Sequence, residues 1–161
     1  MNSSCDAGAT TSAVSRREAE EGCVFAVDLD FLEEGSPDCP LIRIYGRDQD
    51  DYRRLLRAIA AVAAGTVKRV PVQELPGFRA DPDFELILTT AAMDQGVNRL
   101  RQSQHFVWAL TPAKWQIVEG LATPFEDCDS ASAYQWLVGP EARYGLDVGP
   151  IAVLLSKDGC W

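Results

Sequence analysis

DQDDYRRLLRAIAAVAA, residues 48–64, carries the longest helical period in the chain. Tyr52, Leu55, Leu56, Ile59 and Ala63 recur at three- and four-residue steps and fall on one stripe. Asp48, Asp50 and Asp51 stand at its front, where acidic groups suit the exposed N–H groups of a helix start. Gly65 follows and can take the left-handed closing position. The stretch predicts an amphipathic helix that buries one face.

The flanks read as strands. Leu41–Gly46 (LIRIYG) leads in, and Lys68–Val72 (KRVPV) leads out, with Pro71 marking an edge or a bulge. Upstream, Phe25, Val27, Leu29 and Phe31 alternate with Asp28 and Asp30, the pattern of a half-buried strand. Phe84–Thr89 places Phe84, Leu86 and Leu88 on one face, and Ile87 opposite them calls for cover on the second. His105–Leu110, Tyr134–Val138 and Ile151–Leu155 are further strands; the last is apolar throughout and belongs at the centre of a sheet or under cover on both faces.

Ala91–Gln104 has a weak helical pattern anchored on Val97 and Leu100, with Gly96 against it. Thr111-Pro112 is a strong helix start, a hydroxyl cap followed by proline at the first position. Trp115, Val118, Leu121 and Ala122 give that second helix its stripe, with Ile117 at the edge. Glu33–Pro40 and Glu74–Asp83 read as loops.

These elements predict an α+β fold: a mixed or mostly antiparallel sheet of roughly five to seven strands with two main helices packed against it. A three-layer α/β fold is the alternative, but helices between strands are too few for a regular doubly wound sheet. Residues 1–20 read as a disordered tail, rich in Ser, Thr, Ala and Gly; residues 21–161 read as one globular domain. Trp161 is expected to fold back onto the core.

The chain of 161 residues is 47% apolar and 24% charged, a globular composition. Its formal net charge of -9 opposes non-specific binding to nucleic acid and to anionic lipid, and permits a basic protein partner. No stretch reaches the length of a membrane span, and the N-terminus lacks the apolar core of a secretory signal. Five cysteines without a CxxC pair fit reduced thiols and a cytoplasmic location.

Chemical motifs are sparse. His105 is the single histidine, so a multi-histidine metal site is excluded; at the head of an apolar strand it reads as an edge residue. GxSxG, GxGxxG and a phosphate loop with lysine are all absent. Glu126, Asp127 and Asp129 form the densest late acidic cluster but lack the spacing of a calcium loop. No cofactor is called for.

Two function classes follow. The first is a small acidic protein-binding or regulatory domain that neutralises a basic partner, such as an enzyme it controls. Glu33, Glu34, Glu126, Asp127 and Asp129 would attract that partner, and Tyr134 and Trp136, on one strand face, would anchor it. The alternative is a carboxylate-dependent hydrolase using Asp28 and Asp30, with Glu85 or Asp129 as distant partners.

Overall fold

The helix expected over 48–64 runs from Gln49 to Ala63 in the computed structural model, which describes residues 26–101, 103–127 and 133–161. Asp48 is its N-cap, with Oδ1 accepting from Asp51 N at 3.0 Å. At the other end Gly65 adopts φ +71, Gly65 N donates to Val62 O and Thr66 N to Ala61 O. That pair of bonds is the glycine-closed helix end the sequence called for. The buried stripe holds Tyr52, Leu55, Leu56, Ile59 and Ala63, with Ala58 and Val62 beside them.

In chain order the elements are β1 (Val27–Leu32), β2 (Leu41–Tyr45), α1 (Gln49–Ala63), β3 (Arg69–Pro71), β4 (Phe78–Ala80), β5 (Glu85–Thr90), β6 (Gly96–Arg99), β7 (His105–Leu110), α2 (Pro112–Ala122), β8 (Tyr134–Val138) and β9 (Ala152–Ser156). The fold is α+β, with both helices packed against mixed sheets. The single sheet expected from the sequence is divided in two among the described residues. Sheet one has the order β4-β1-β2-β9-β8 and sheet two the order β3-β5-β7-β6. Each helix carries the chain across: α1 from sheet one to sheet two, α2 back again.

One apolar cluster spans both sheets and both helices. Val27, Leu29, Ile42, Ile44, Val153 and Leu155 come from sheet one. Leu86, Leu88, Phe106, Trp108 and Leu110 come from sheet two. Phe31 meets Phe106 with ring centroids 4.7 Å apart, which closes the gap between the sheets. β9 lies between β2 and β8 with every residue buried, as its unbroken apolar run requires. Tyr52 reaches from α1 to the end of sheet one, where its hydroxyl lies 2.9 Å from Ser156 O and 3.0 Å from Gly46 O.

Three further expectations need correction. Residues 96–99 form a strand, not the later part of a helix, because Gly96 takes φ +67 and Val97 pairs with both Trp108 and Ile151. The loop 74–83 contains β4, a three-residue strand parallel to β1. Leu121 leaves the buried stripe of α2 and sits half exposed at the surface. The tail at 1–20 lies outside the described residues, as do Cys5, Cys23, Cys128 and Asp129.

Asp51 is the one acidic side chain buried on α1, 2% exposed, and it pairs with Arg54 one turn on. Its carboxylate sits where a Cβ on Gly77 would fall, so the turn before β4 rests on it. Burial raises the Asp51 pKa above the ordinary carboxylate value; Asp48 adds to this and Arg54 opposes it. A raised folded-state pKa means that the folded chain binds the proton more tightly than the unfolded chain. Its stabilising contribution is complete below the unfolded pKa and is lost as pH rises through the folded one. The stability of the wild type minus that of Asp51→Asn should therefore fall as pH rises through the carboxylate range. Urea titrations at several pH values would measure it; a difference that stayed flat or rose would contradict the burial effect.

Candidate functional site

Asp28 and Asp30 project from the outer face of sheet one, and the strand register decides their partners. Asp28 stands beside Arg79 of β4, and Asp30 beside Arg43 of β2. Arg79 donates Nε and Nη2 to the two Asp28 oxygens at 2.8 and 2.9 Å. Arg43 donates Nε, at 2.9 Å, and Nη2 to the two Asp30 oxygens, and Nη1 to Gly159 O at 2.8 Å. The Arg43 guanidinium lies 5.0 Å from the Tyr45 ring centroid and 5.7 Å from that of Trp161. Trp161 Nε1 donates to Asp38 at 2.9 Å; the residue folds back onto this outer face, where it stays 38% exposed, and not onto the core as expected.

The electrostatics agree with the pairing. The hydrogen bond to Asp30 raises the Arg43 pKa against the opposing effect of burial, and the bond to Asp28 raises that of Arg79. Burial, then Asp30 and Asp28, raises the Tyr45 phenol. A cavity of about 350 Å³ at the start of α1 and another of 340 Å³ beside Asp28, Asp30 and Tyr45 are both shallow and polar. Each of the two carboxylates is held in a two-pronged grip, which occupies the oxygens an acid–base pair would use. Glu85 lies on sheet two, 3.8 Å from His105, and does not join them. His105 is half exposed at the head of β7; β7 lies between β5 and β6, so the histidine sits at the end of an inner strand and not on the sheet edge expected for it. Among the described residues no three His, Cys, Asp or Glu side chains converge as a metal cluster would require.

The acidic residues expected to act together are split. Glu33 follows β1 at the Leu32–Leu41 end of sheet one and pairs with Arg99 of β6 at 2.7 Å. Glu34 beside it is exposed. Glu126 and Asp127 follow Phe125, whose ring lies 5.4 Å from that of Tyr52, at the Gly46 end. The length of β2, five residues, separates the two ends by roughly 15 Å.

Tyr134 and Trp136 do meet a concave surface. With Leu121 of α2 and Glu141, Arg143 and Tyr144 of the following loop they line a groove of about 380 Å³. Leu121 and Tyr144 continue it past Ile117 and Gly120 into a second, more apolar depression of about 330 Å³. Tyr134 is 42% exposed and Tyr144 65%. Tyr144 holds φ +63, uncommon for a bulky residue, and Lys114 of α2 donates to its carbonyl at 2.7 Å. Thr111 caps α2 by accepting from Lys114 N, so the predicted helix start also aims the lysine that fixes this loop. Tyr144 went unread in the sequence; the only signal was an aromatic among the glycines of RYGLDVGP, residues 143–150.

No protein-family model, curated protein or solved structure matches the chain. No helix among the described residues is long and apolar enough to cross a membrane.

Proposed function

We propose that this chain is a protein-binding domain that takes a net-positive partner in the aromatic groove between α2 and β8, in the manner of a domain that blocks or regulates another protein. The observation that carries this is the clustering of exposed Tyr134 and Tyr144 with half-buried Trp136 and Leu121 on one concave surface. Tyrosine and tryptophan give large, stiff contacts at binding centres. The net charge of -9 adds long-range attraction for a basic partner, and Glu141 at the groove supplies a local contact for it.

The test is affinity capture from the native cell at low and high salt, with binding kinetics on the captured protein. Trp136→Ala and Tyr144→Ala should each weaken binding by about tenfold or more, with folding intact. Glu141→Lys should slow association and leave dissociation and thermal stability near wild type. A partner whose affinity ignored both aromatic substitutions would remove the groove from the function.

A further inference from the structure

We infer that β8 receives its partner as an added β-strand, an inference that rests on the groove reading above. β8 is the outermost strand of sheet one, and its hydrogen-bond phase is fixed by Lys157 N donating to Ala133 O at 2.9 Å. With the antiparallel register Tyr134–Ser156, Gln135–Leu155 and Trp136–Leu154, residues 133 and 135 bond to β9. The N–H groups of Tyr134 and Trp136 therefore point away from β9, toward the open side of the strand. Trp136 O is occupied by Gln135 Nε2 at 2.9 Å, a local guard of the kind that keeps an edge from pairing at random.

The other sheet edges offer less. β3 and β4 have three residues each, and β3 ends in Pro71, which has no N–H. β6 is approached at its edge by Ile151, which bridges to Val97. Among the described edge strands β8 combines five residues, outward-pointing amides and a groove alongside. A strand laid there would send alternate side chains toward Tyr134 and Trp136 and toward Leu121 and Tyr144.

Charge selects the occupant. A second copy would bring the same -9 to the same edge, and the two would repel. An extended segment of a basic protein meets attraction instead, with a basic side chain of the segment against Glu141. Arg143 makes no ion pair among the described residues and is left for a carboxylate or carbonyl of that segment.

The probe is a random twelve-residue peptide library selected against the full chain, followed by amide exchange with the tightest peptide bound. Enriched peptides should alternate and carry net positive charge. On binding, exchange at Tyr134 and Trp136 should slow at least tenfold, while Gln135, already bonded to β9, should change little. Methylating alternate peptide amides should weaken binding tenfold or more in one phase and be tolerated in the other. Unchanged exchange at Tyr134 and Trp136, or tolerance of both methylation phases, would overturn strand addition; the groove reading would survive if Trp136→Ala and Tyr144→Ala still abolished binding. Peptides that ignored those two substitutions, or a library that enriched nothing, would overturn both. Protection of the two amides in the free chain that grew with its concentration would assign the edge to a second copy and overturn the basic occupant.

Discussion

Gly96→Ala should cost about 3 kcal/mol or more of folding stability, among the largest losses from a single added methyl group. Two effects combine there. Gly96 holds φ +67, where an L side chain is strained by about 1 kcal/mol. Its Cβ would also fall 2.6 Å from Val148 C and 2.9 Å from Gly149 Cα, with Val148 O closer still. These are backbone atoms and cannot rotate away. Gly149, at φ +82, returns the constraint: a Cβ on it would lie 2.8 Å from Gln95 O and 3.0 Å from Gly96 Cα. The two glycines let the start of β6 and the segment before Ile151 touch, which seats the Val97–Ile151 bridge. Gly65→Ala isolates the backbone effect, because φ is +71 but nothing lies within 4 Å. It should cost only about 1 kcal/mol. Gly120→Ala, in α2 with open space around it, should be neutral or gain up to about 1 kcal/mol. Urea denaturation of the three variants would rank them. A Gly96→Ala loss no larger than that of Gly65→Ala would mean that the backbones do not meet as described.

That pair of glycines also marks where sequence reading stops. α1 was legible because its period, its cap and its closing glycine are local and agree with one another. The Thr111-Pro112 start of α2 and the apolar run of β9 were legible for the same reason. β6 was not: Gly96 within residues 91–104 reads as a poor helix until Gly149 and Ile151, some fifty residues away, give it a reason to be extended. β4 is three residues long and pairs with β1 across α1, so it leaves no periodic trace. The site was legible in part. The alternation of Tyr134 and Trp136 showed a shared face, but the groove exists only because Leu121 and Tyr144 arrive from other elements. The acidic residues were visible one by one. Which of them meet an arginine depends on register: Arg43 and Arg79 reach Asp30 and Asp28 through strand pairing that no local pattern encodes.

Trp115→Phe should destabilise the fold by about 3 kcal/mol, and Trp108→Phe by only about 1–2 kcal/mol, although both tryptophans are fully buried. Their rings pack on each other with centroids 4.8 Å apart, so each substitution removes a similar amount of aromatic contact from one place in the core. The difference lies at the indole nitrogen. Trp115 Nε1 donates to Thr89 O at 2.9 Å and ties α2 to β5. Phenylalanine there loses the bond as well as the volume. Trp108 Nε1 is buried and finds no acceptor among the described residues. A buried donor without a partner costs about 1–3 kcal/mol, and phenylalanine removes that cost while it leaves a smaller ring. The two effects oppose at position 108 and add at position 115. Far-UV circular dichroism in urea avoids the loss of fluorescence signal that each substitution brings. Trp108→Phe proving the more damaging of the two would contradict the cost assigned to the unpartnered indole nitrogen.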